Sequence, residues 1–196
     1  MKIVIATFNR GKVREIEQVC SALPFEFLSL SSFSNPPRVV EDGKTYRENA
    51  TKKATAIARF TGLWTLADDS GIEVDALNGK PGVLSARYAG EDATDADNNK
   101  KLLDELANVP QQKRTARYRA SIVLASPQKV EAEADGVCEG VIGSEPRGAN
   151  GFGYDPLFIV PEYNKTMAEL PPEIKNRISH RARALENIKI FLKLLK

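Results

Sequence analysis

The sequence is short of the residues that build disulfide scaffolds and structural zinc sites. It has two cysteines, Cys20 and Cys138, and a single histidine, His180. The cysteines match no metal-ligand spacing, and one histidine adds too few donors to complete a four-ligand zinc site. This excludes a disulfide framework and predicts a reducing compartment, which we expect to be the cytoplasm.

Long apolar runs and an excess of one charge are also missing. The 28 Lys and Arg residues nearly balance the 26 Asp and Glu residues, which leaves a net charge of +2. This balance argues against a nucleic-acid partner. No run approaches the roughly 18 apolar residues of a membrane span, and the first apolar stretch is too short for a signal-peptide core. We therefore expect no membrane partner. The length of 196 residues predicts a single domain over residues 1–196.

Hydrophobic periodicity predicts alternating strands and helices. A β-branched run at 2–6 predicts a strand, and the apolar spacing from Val13 predicts a helix that stops at Pro24. Thr45 and Glu48 form a capping-box pattern that opens a helix ending near Gly62. Further strands are predicted at 25–30, 63–67, 115–124, 130–142 with a break at 136, and 157–160, and further helices after 92–97 and from 172. Strands between helices at both ends indicate an α/β fold.

The polar segment 7–12 lies between the first strand and its helix. Backbone N–H groups and the positive end of a helix favour an anion at such a turn. Lys12 adds a charge suited to a phosphate, and Thr7 and Asn9 add short polar side chains. A solvated turn with a surface lysine is the alternative.

Acidic residues follow the predicted strand at 63–67. Because consecutive side chains of an extended chain point in opposite directions, we expect Asp68 and Asp69 to have different roles. One could hold a hard cation such as Mg²⁺ and the other could activate a water. An Asp-rich turn at 68–71 is the alternative.

Two charged residues upstream leave both structural and functional interpretations open. Glu41 lies in an acidic turn of a kind that is usually only structural. Lys53 falls on the apolar face of the helix predicted from Thr45. Its ammonium group therefore either extends to water or serves a buried anion.

A glycine-rich loop at 148–156 and a short motif near the C-terminus could recognise a nucleobase. Phe152 and Tyr154 offer flat faces for stacking, and Asp155 could accept hydrogen bonds from a base. His180 and Arg181 could donate hydrogen bonds to a base carbonyl. A structural loop and a surface His–Arg pair are the alternatives.

Taken together, these segments resemble the inosine triphosphate pyrophosphatase family. The resemblance spans nearly the whole chain and rests on seven motifs in order: TFNRGK at 7–12, EDGKTYRENATKKA at 41–54, LADDSG at 66–71, PGVLSARYAG at 81–90, GANGFGYDP at 148–156, KTMAEL at 165–170 and ISHR at 178–181. Phe8 departs from the family pattern, which has a small residue at this position in many members.

The resemblance implies a set of site residues. Asp69 would accept a proton from the hydrolytic water, assisted by Asp68, and Glu41 and Asp69 would hold Mg²⁺. Ser70 would touch the substrate. The triphosphate would be bound by Thr7, Phe8, Asn9, Arg10, Gly11, Lys12 and Lys53. The purine would be enclosed by Phe152, Gly153, Tyr154, Asp155, Lys175, His180 and Arg181.

The resemblance also implies the fold and the activity. The fold would be an elongated mixed β-sheet with flanking helices, forming two lobes around a central cleft, in a homodimer. The activity would be Mg²⁺-dependent hydrolysis of ITP, dITP and XTP to monophosphate and pyrophosphate, which removes them from the nucleotide pool. A pyrophosphatase for modified pyrimidine or methylated nucleotides, as in the septum-inhibitor family, and a binding module without catalysis are the alternatives.

Overall fold

The computed structural model describes residues 1–195. The helices are α1 (Arg10–Cys20), α2 (Tyr46–Thr61), α3 (Asp95–Glu105), α4 (Pro172–Ile178) and α5 (His180–Leu192). The strands are β1 (Lys2–Ile5), β2 (Glu26–Ser29), β3 (Trp64–Val74), β4 (Thr115–Ala125), β5 (Val130–Ile142), β6 (Phe158–Val160) and β7 (Lys165–Thr166). In the described part of the chain, no helix is both long enough and apolar enough to cross a bilayer.

The strands form one seven-stranded sheet in the order β2-β1-β3-β4-β5-β6-β7. β1 pairs in parallel with both β2 and β3, whereas β6 pairs antiparallel with β5 and β7. The predicted α/β fold, a mixed sheet with flanking helices, is confirmed.

The chain divides into two compact units, which we describe separately. Unit 1 comprises residues 1–69, 120–136 and the segment from His180 onward, and unit 2 comprises residues 70–119 and 137–179. Three strands, β3, β4 and β5, contribute residues to both units.

The core of unit 1 has two faces, because side chains alternate along its strands. Ile3, Ile5 and Leu66 belong to a buried cluster that includes residues of α1 and α5. Val4 and Ala67 belong to a second cluster, which includes residues of α2. The same alternation places the next two residues of β3 on opposite faces, with one carboxylate toward α1 and α5 and the other toward α2.

The core of unit 2 is built on the far halves of β3, β4 and β5. Tyr118 and Phe158 lie in this core with ring centroids 4.6 Å apart, and Leu102 contributes from α3. Tyr154, from the glycine-rich loop, is buried in the same cluster. This loop is therefore anchored in unit 2 by an aromatic side chain.

β3 does not end at Ala67, and the alternative of an Asp-rich turn at 68–71 is wrong. The strand continues to Val74 through Gly71. The Ile72 N–H donates to Ser85 Oγ at 2.9 Å, and a Cβ atom at Gly71 would overlap the Ser85 side chain. The glycine is needed for close packing within a strand and not for a turn.

Two helix boundaries also differ from the prediction. α1 begins at Arg10, because the side chain of Asn9 caps it by accepting the Lys12 N–H at 3.0 Å. It ends at Cys20, before the expected stop at Pro24. Thr45 caps α2 as predicted, accepting the Glu48 N–H at 3.1 Å.

The predicted capping box is only half formed, because the Glu48 carboxylate does not accept the backbone N–H of the capping residue Thr45. It accepts the N–H of Lys44 at 2.6 Å, one residue before the expected partner Thr45.

The short strand β7 had no signal in the sequence, since two residues are too few to show a period.

β5 runs without the expected break at Gly136. A Cβ atom at this position would overlap the His180 carbonyl oxygen and the Ala184 backbone N of α5. We therefore expect Gly136→Ala to lower the free energy of unfolding by about 1–3 kcal/mol, as overpacking does. Chemical denaturation measures this loss. Gly143→Ala is the control, because its nearest neighbour would lie at 3.3 Å; equal losses in the two variants would contradict the explanation.

Candidate active site

Asp68 holds two cations on the α1 and α5 face of unit 1. Its Oδ1 lies 2.6 Å from Lys12 Nζ and its Oδ2 accepts from Arg181 Nε at 3.0 Å. Arg181 Nη2 also donates to Oδ1 at 3.2 Å, and Arg181 Nη1 donates to Glu15. Burial alone would raise the pKa of Asp68, but Arg181 and Lys12 outweigh it and hold the pKa well below its usual range.

This arrangement balances two cations against two carboxylates inside the protein. Asp68, Glu15 and Arg181 are all buried, and Lys12 is half-buried. A carboxylate whose pKa is strongly lowered is a poor proton acceptor at neutral pH. Asp68 is therefore suited to orient Lys12 and Arg181.

Asp69 lies on the α2 face with different partners. Lys53 Nζ donates to Asp69 Oδ1 at 3.0 Å and to Glu41 Oε2 at 2.7 Å. Asn49 Nδ2 donates to Asp69 Oδ2 at 3.1 Å. Of the two interpretations of Lys53, the structure supports the one in which its ammonium group serves a buried anion, Asp69.

This environment shifts the pKa values of Asp69 and Glu41 in opposite directions. Burial, with the nearby Glu41 charge, raises the pKa of Asp69 more than Lys53 and Lys12 lower it. Burial also acts to raise the pKa of Glu41, but Lys53 outweighs it and the pKa of Glu41 is lowered. Of the consecutive aspartates, Asp69 is thus the one suited to accept a proton from water.

Glu41 and Asp69 also suit a magnesium ion. Both carboxylates meet at the Lys53 ammonium group, so that hard oxygen donors converge from the Glu41 turn and from β3. Mg²⁺ is commonly held by one or two carboxylates together with substrate phosphates. No group of three or more His, Cys, Asp or Glu residues with metal-site spacing occurs in residues 1–195. The donor set fits an ion that is shared with a phosphate substrate.

The 7–12 segment forms the start of α1. Thr7 Oγ1 accepts the Asn9 N–H at 3.1 Å, and Asn9 caps the helix. Phe8 and Arg10 are exposed and Gly11 is partly buried. The segment therefore presents a helix N-terminus beside Lys12, which is the arrangement that favours an anion.

The glycine-rich loop of unit 2 is organised around Asp155. Its carboxylate is bonded to Lys175 Nζ and accepts the Phe152 N–H at 3.0 Å. Lys175 Nζ also lies 4.7 Å from the centre of the Phe152 ring, a cation–π contact. Gly153 is held on both sides, by Asp95 at its N–H and by Asn99 at its carbonyl.

The structure distinguishes the two aromatic residues of this loop. The Tyr154 side chain is buried and donates its hydroxyl hydrogen to the Ser85 carbonyl at 2.8 Å. Phe152 is only partly buried. Phe152 is thus the better placed of the two to stack with a ligand, while Tyr154 anchors the loop.

His180 and Arg181 do not form a surface pair, and that alternative is wrong. Both side chains are buried at the start of α5. Ser70, the next residue of β3 after Asp69, is partly buried and is the first residue of unit 2. The guanidinium of Arg181 lies with Asp68 and Glu15 in unit 1.

Two buried polar residues of the site were missed from the sequence. Glu15 follows Lys12 by three residues and precedes the buried Ile16, so a charged residue on the core side of α1 was the available signal. Asn49 lies on the predicted apolar face of α2, four residues before Lys53. Polar residues on a core face at helical spacing from a candidate cation would have pointed to both.

A model of the Ham1 family matches residues 3–191 of this chain. The chain belongs to the Ham1 family. Among curated members, the dITP/XTP pyrophosphatase of Geobacter sulfurreducens is 56% identical over 191 residues, which cover 97% of this chain and 96% of that protein. The dITP/XTP pyrophosphatase of Desulforamulus reducens is 54% identical, covering 95% and 92%.

Solved Ham1 structures agree with this assignment. A HAM1 protein from Coxiella burnetii superposes with a TM-score of 0.89 at 43% identity, and the match covers 99% of both chains. The Ham1 protein of Staphylococcus aureus gives a TM-score of 0.87 at 40% identity over the full length of both chains. The family resemblance predicted from the seven motifs is confirmed.

Proposed function

We propose that this Ham1-family chain hydrolyses non-standard purine nucleoside triphosphates, namely dITP, XTP and ITP, to the monophosphate and pyrophosphate. The observation that carries the proposal is its high identity, over nearly its whole length, to proteins named dITP/XTP pyrophosphatase. The partners of Asp68 and Asp69 support it from the chemical side, because they supply fixed cations and a carboxylate of raised pKa.

The residues of unit 1 would act on the triphosphate. The start of α1 (Thr7, Phe8, Asn9, Arg10 and Gly11), together with Lys12 and Lys53, would bind its oxygens and stabilise the charge on the leaving pyrophosphate. Glu41 and Asp69 would hold Mg²⁺, which neutralises phosphate charge when bound.

Asp69 would then act as the general base. It accepts a proton from the water whose oxygen attacks the α-phosphorus, the bond from that phosphorus to the bridging oxygen breaks, and pyrophosphate leaves. Asp68 assists by orienting Lys12. The different partners of the two aspartates and the opposite directions of their pKa shifts support this division of labour.

The loop of unit 2 would recognise the base. Phe152 would stack with the purine, and Gly153, Tyr154, Asp155 and Lys175 would shape its site. Ser70 would touch the substrate. His180 would donate to the O6 acceptor, so that a 6-amino purine would meet a donor and be rejected. Arg181, which the family resemblance also implies at the base, bonds Asp68 and Glu15 and would contribute by holding Asp68 in place.

We further propose that residues 1–196 act as one two-lobed catalytic domain, since a single family match spans residues 3–191. We expect a homodimer, as the family resemblance implies, and sedimentation velocity tests this. Cys20 and Cys138 are buried thiols that form no disulfide, which supports a cytoplasmic location; cell fractionation tests this.

The decisive experiment is product analysis with Mg²⁺. We expect dITP, XTP and ITP to be hydrolysed with kcat/KM at least about 100-fold above that for dATP, ATP and GTP. Phosphate should be detected only when inorganic pyrophosphatase is added, because the product is pyrophosphate. Direct release of orthophosphate would move the attack to the γ-phosphorus. A preference for modified pyrimidine or methylated nucleotides would support the alternative substrate class, and no turnover would favour a binding module.

A further inference from the structure

Asn49 is a buried amide that joins two parts of the candidate site. It lies in the first turns of α2 with 1% of its surface exposed. Its Oδ1 accepts the Gly43 N–H at 2.8 Å, and its Nδ2 donates to Asp69 Oδ2 at 3.1 Å. One side chain therefore connects the turn that carries Glu41 to the carboxylate on β3.

The surroundings of Asn49 do not require an amide for packing. Its helix presents Ala50, Ala54 and Ile57 to the core, and alanine is the better helix former. A buried amide is unfavourable unless its groups are hydrogen-bonded. Here the amide oxygen and the amide nitrogen each have a hydrogen-bond partner outside the helix. These two partners explain why position 49 carries an amide.

The contacts of Asn49 and Lys53 fix the orientation of Asp69. Lys53 holds Oδ1 and Asn49 holds Oδ2, so rotation of the carboxylate would break one of the two hydrogen bonds. The amide does this without adding a charge. A second ammonium group there would lower the pKa of the proposed base.

The Gly43 side of the connection is equally constrained. A Cβ atom at Gly43 would lie 2.6 Å from Asn49 Oδ1 and 2.8 Å from the Glu48 Cβ. Only glycine brings the turn close enough for its N–H to reach the amide. Since Glu41 is two residues earlier, this contact also restrains the second carboxylate of the proposed metal site.

We propose that Asn49 is a positioning residue for hydrolysis, which locks the Asp69 carboxylate and the Glu41–Gly43 turn into one arrangement. The inference rests on the proposed function, because it concerns the same chemistry. Asn49 itself is assigned no contact with the substrate.

The test compares Asn49→Asp with wild-type protein. The Asp variant is nearly isosteric and keeps an oxygen for the Gly43 N–H, but it loses the donor to Asp69. We expect kcat for dITP to fall about 10- to 100-fold, as for other residues that orient a catalytic group, with KM changed less than about threefold. Calorimetric titration with an α,β-imido analogue of dITP should show the same number of binding sites per chain as in wild type.

A second variant approaches Asn49 from the other side. Gly43→Ala should displace the amide and lower kcat in the same range. Asn49→Ala combined with Gly43→Ala should be no slower than the slower single variant, because both remove the same arrangement. Fully multiplicative losses would overturn the inference.

Asn98→Asp in unit 2 is the matched control. Asn98 is likewise buried, accepts a backbone N–H (Ala89, 2.8 Å) and donates to an oxygen, the Ala86 carbonyl at 3.2 Å. We expect it to lower the thermal unfolding midpoint while kcat per binding site stays within about twofold. If Asn49→Asp behaves like this control, Asn49 is merely structural and the positioning role is wrong. If wild-type protein releases no pyrophosphate from dITP, the proposed function fails instead.

Discussion

Replacing Asp69 by Asn is expected to lower kcat for dITP about 1,000-fold, within the range that a general base contributes. An amide cannot take the proton from water, and it is a weaker ligand for Mg²⁺. The measurement is steady-state pyrophosphate release in the presence of saturating Mg²⁺. Binding of the α,β-imido analogue should persist, since Lys12 and Lys53 remain.

The fold should survive this substitution. Burial and Glu41 raise the pKa of Asp69 in the folded protein, so its ionised form is less favourable there than in the unfolded chain. Removing that charge should leave the free energy of unfolding at pH 7 unchanged or slightly higher. A variant that retains more than a tenth of wild-type kcat would contradict the assignment of Asp69 as the base.

Replacing Arg181 by Met is expected to lower the free energy of unfolding by about 3–5 kcal/mol at pH 7, because it strands Asp68 and Glu15 as buried charges with one cation fewer. Chemical denaturation measures the loss. Arg119→Met is the control, since Arg119 pairs with Glu73 at 3.1 Å on the surface of unit 2. An exposed pair of this kind contributes at most about 1 kcal/mol.

The pH dependence of the Arg181→Met loss follows from the pKa of Asp68. In wild type this pKa lies below its unfolded value of about 3.9, so the stabilisation is present above that pH and is lost as the pH falls further. In the variant the folded pKa of Asp68 is higher, so the folded state takes up its proton at a higher pH. The difference in stability should therefore shrink between pH 7 and pH 4. A difference that stays constant would mean that the loss reflects packing alone.

Local sequence patterns predicted the helices and strands, and the chemical type of single residues, better than they predicted which residues contact each other. The strand-loop-helix around Lys12 and the opposed directions of Asp68 and Asp69 follow from the periods of strands and helices. The pairing of Arg181 with Asp68 joins residues 113 positions apart and has no local signal. Glu15 carried a local signal, as a charged residue on the core side of α1, but that signal does not identify its partner Arg181.

Glycines were the other source of error. Gly71 and Gly136 were interpreted as a turn and a strand break, which is where glycine is common. In the structure both lie inside strands, and each leaves room for a neighbouring segment. A sequence alone does not distinguish a glycine needed for its backbone angles from one needed for its missing side chain.

Substrate class depended on the family resemblance. The residues themselves indicated an anion-binding turn, carboxylates and an aromatic loop, which are shared by many nucleotide enzymes. The aromatic loop illustrates the limit, since composition gave Phe152 and Tyr154 equal weight. Only packing showed that Tyr154 is bonded to Ser85 within the core.

The uninterrupted course of β3 makes this stretch intolerant of insertions and deletions. Adding or losing one residue between Trp64 and Asp68 would send each following side chain to the opposite face of the sheet. After an insertion, the Asp68 carboxylate would take the place of Asp69 beside Lys53, and Ala67 would take the place of Asp68 beside Lys12 and Arg181. Natural or engineered length variation in this protein should therefore be confined to its loops, because a single codon gained here would put an alanine where the carboxylate of Asp68 now holds Lys12 and Arg181.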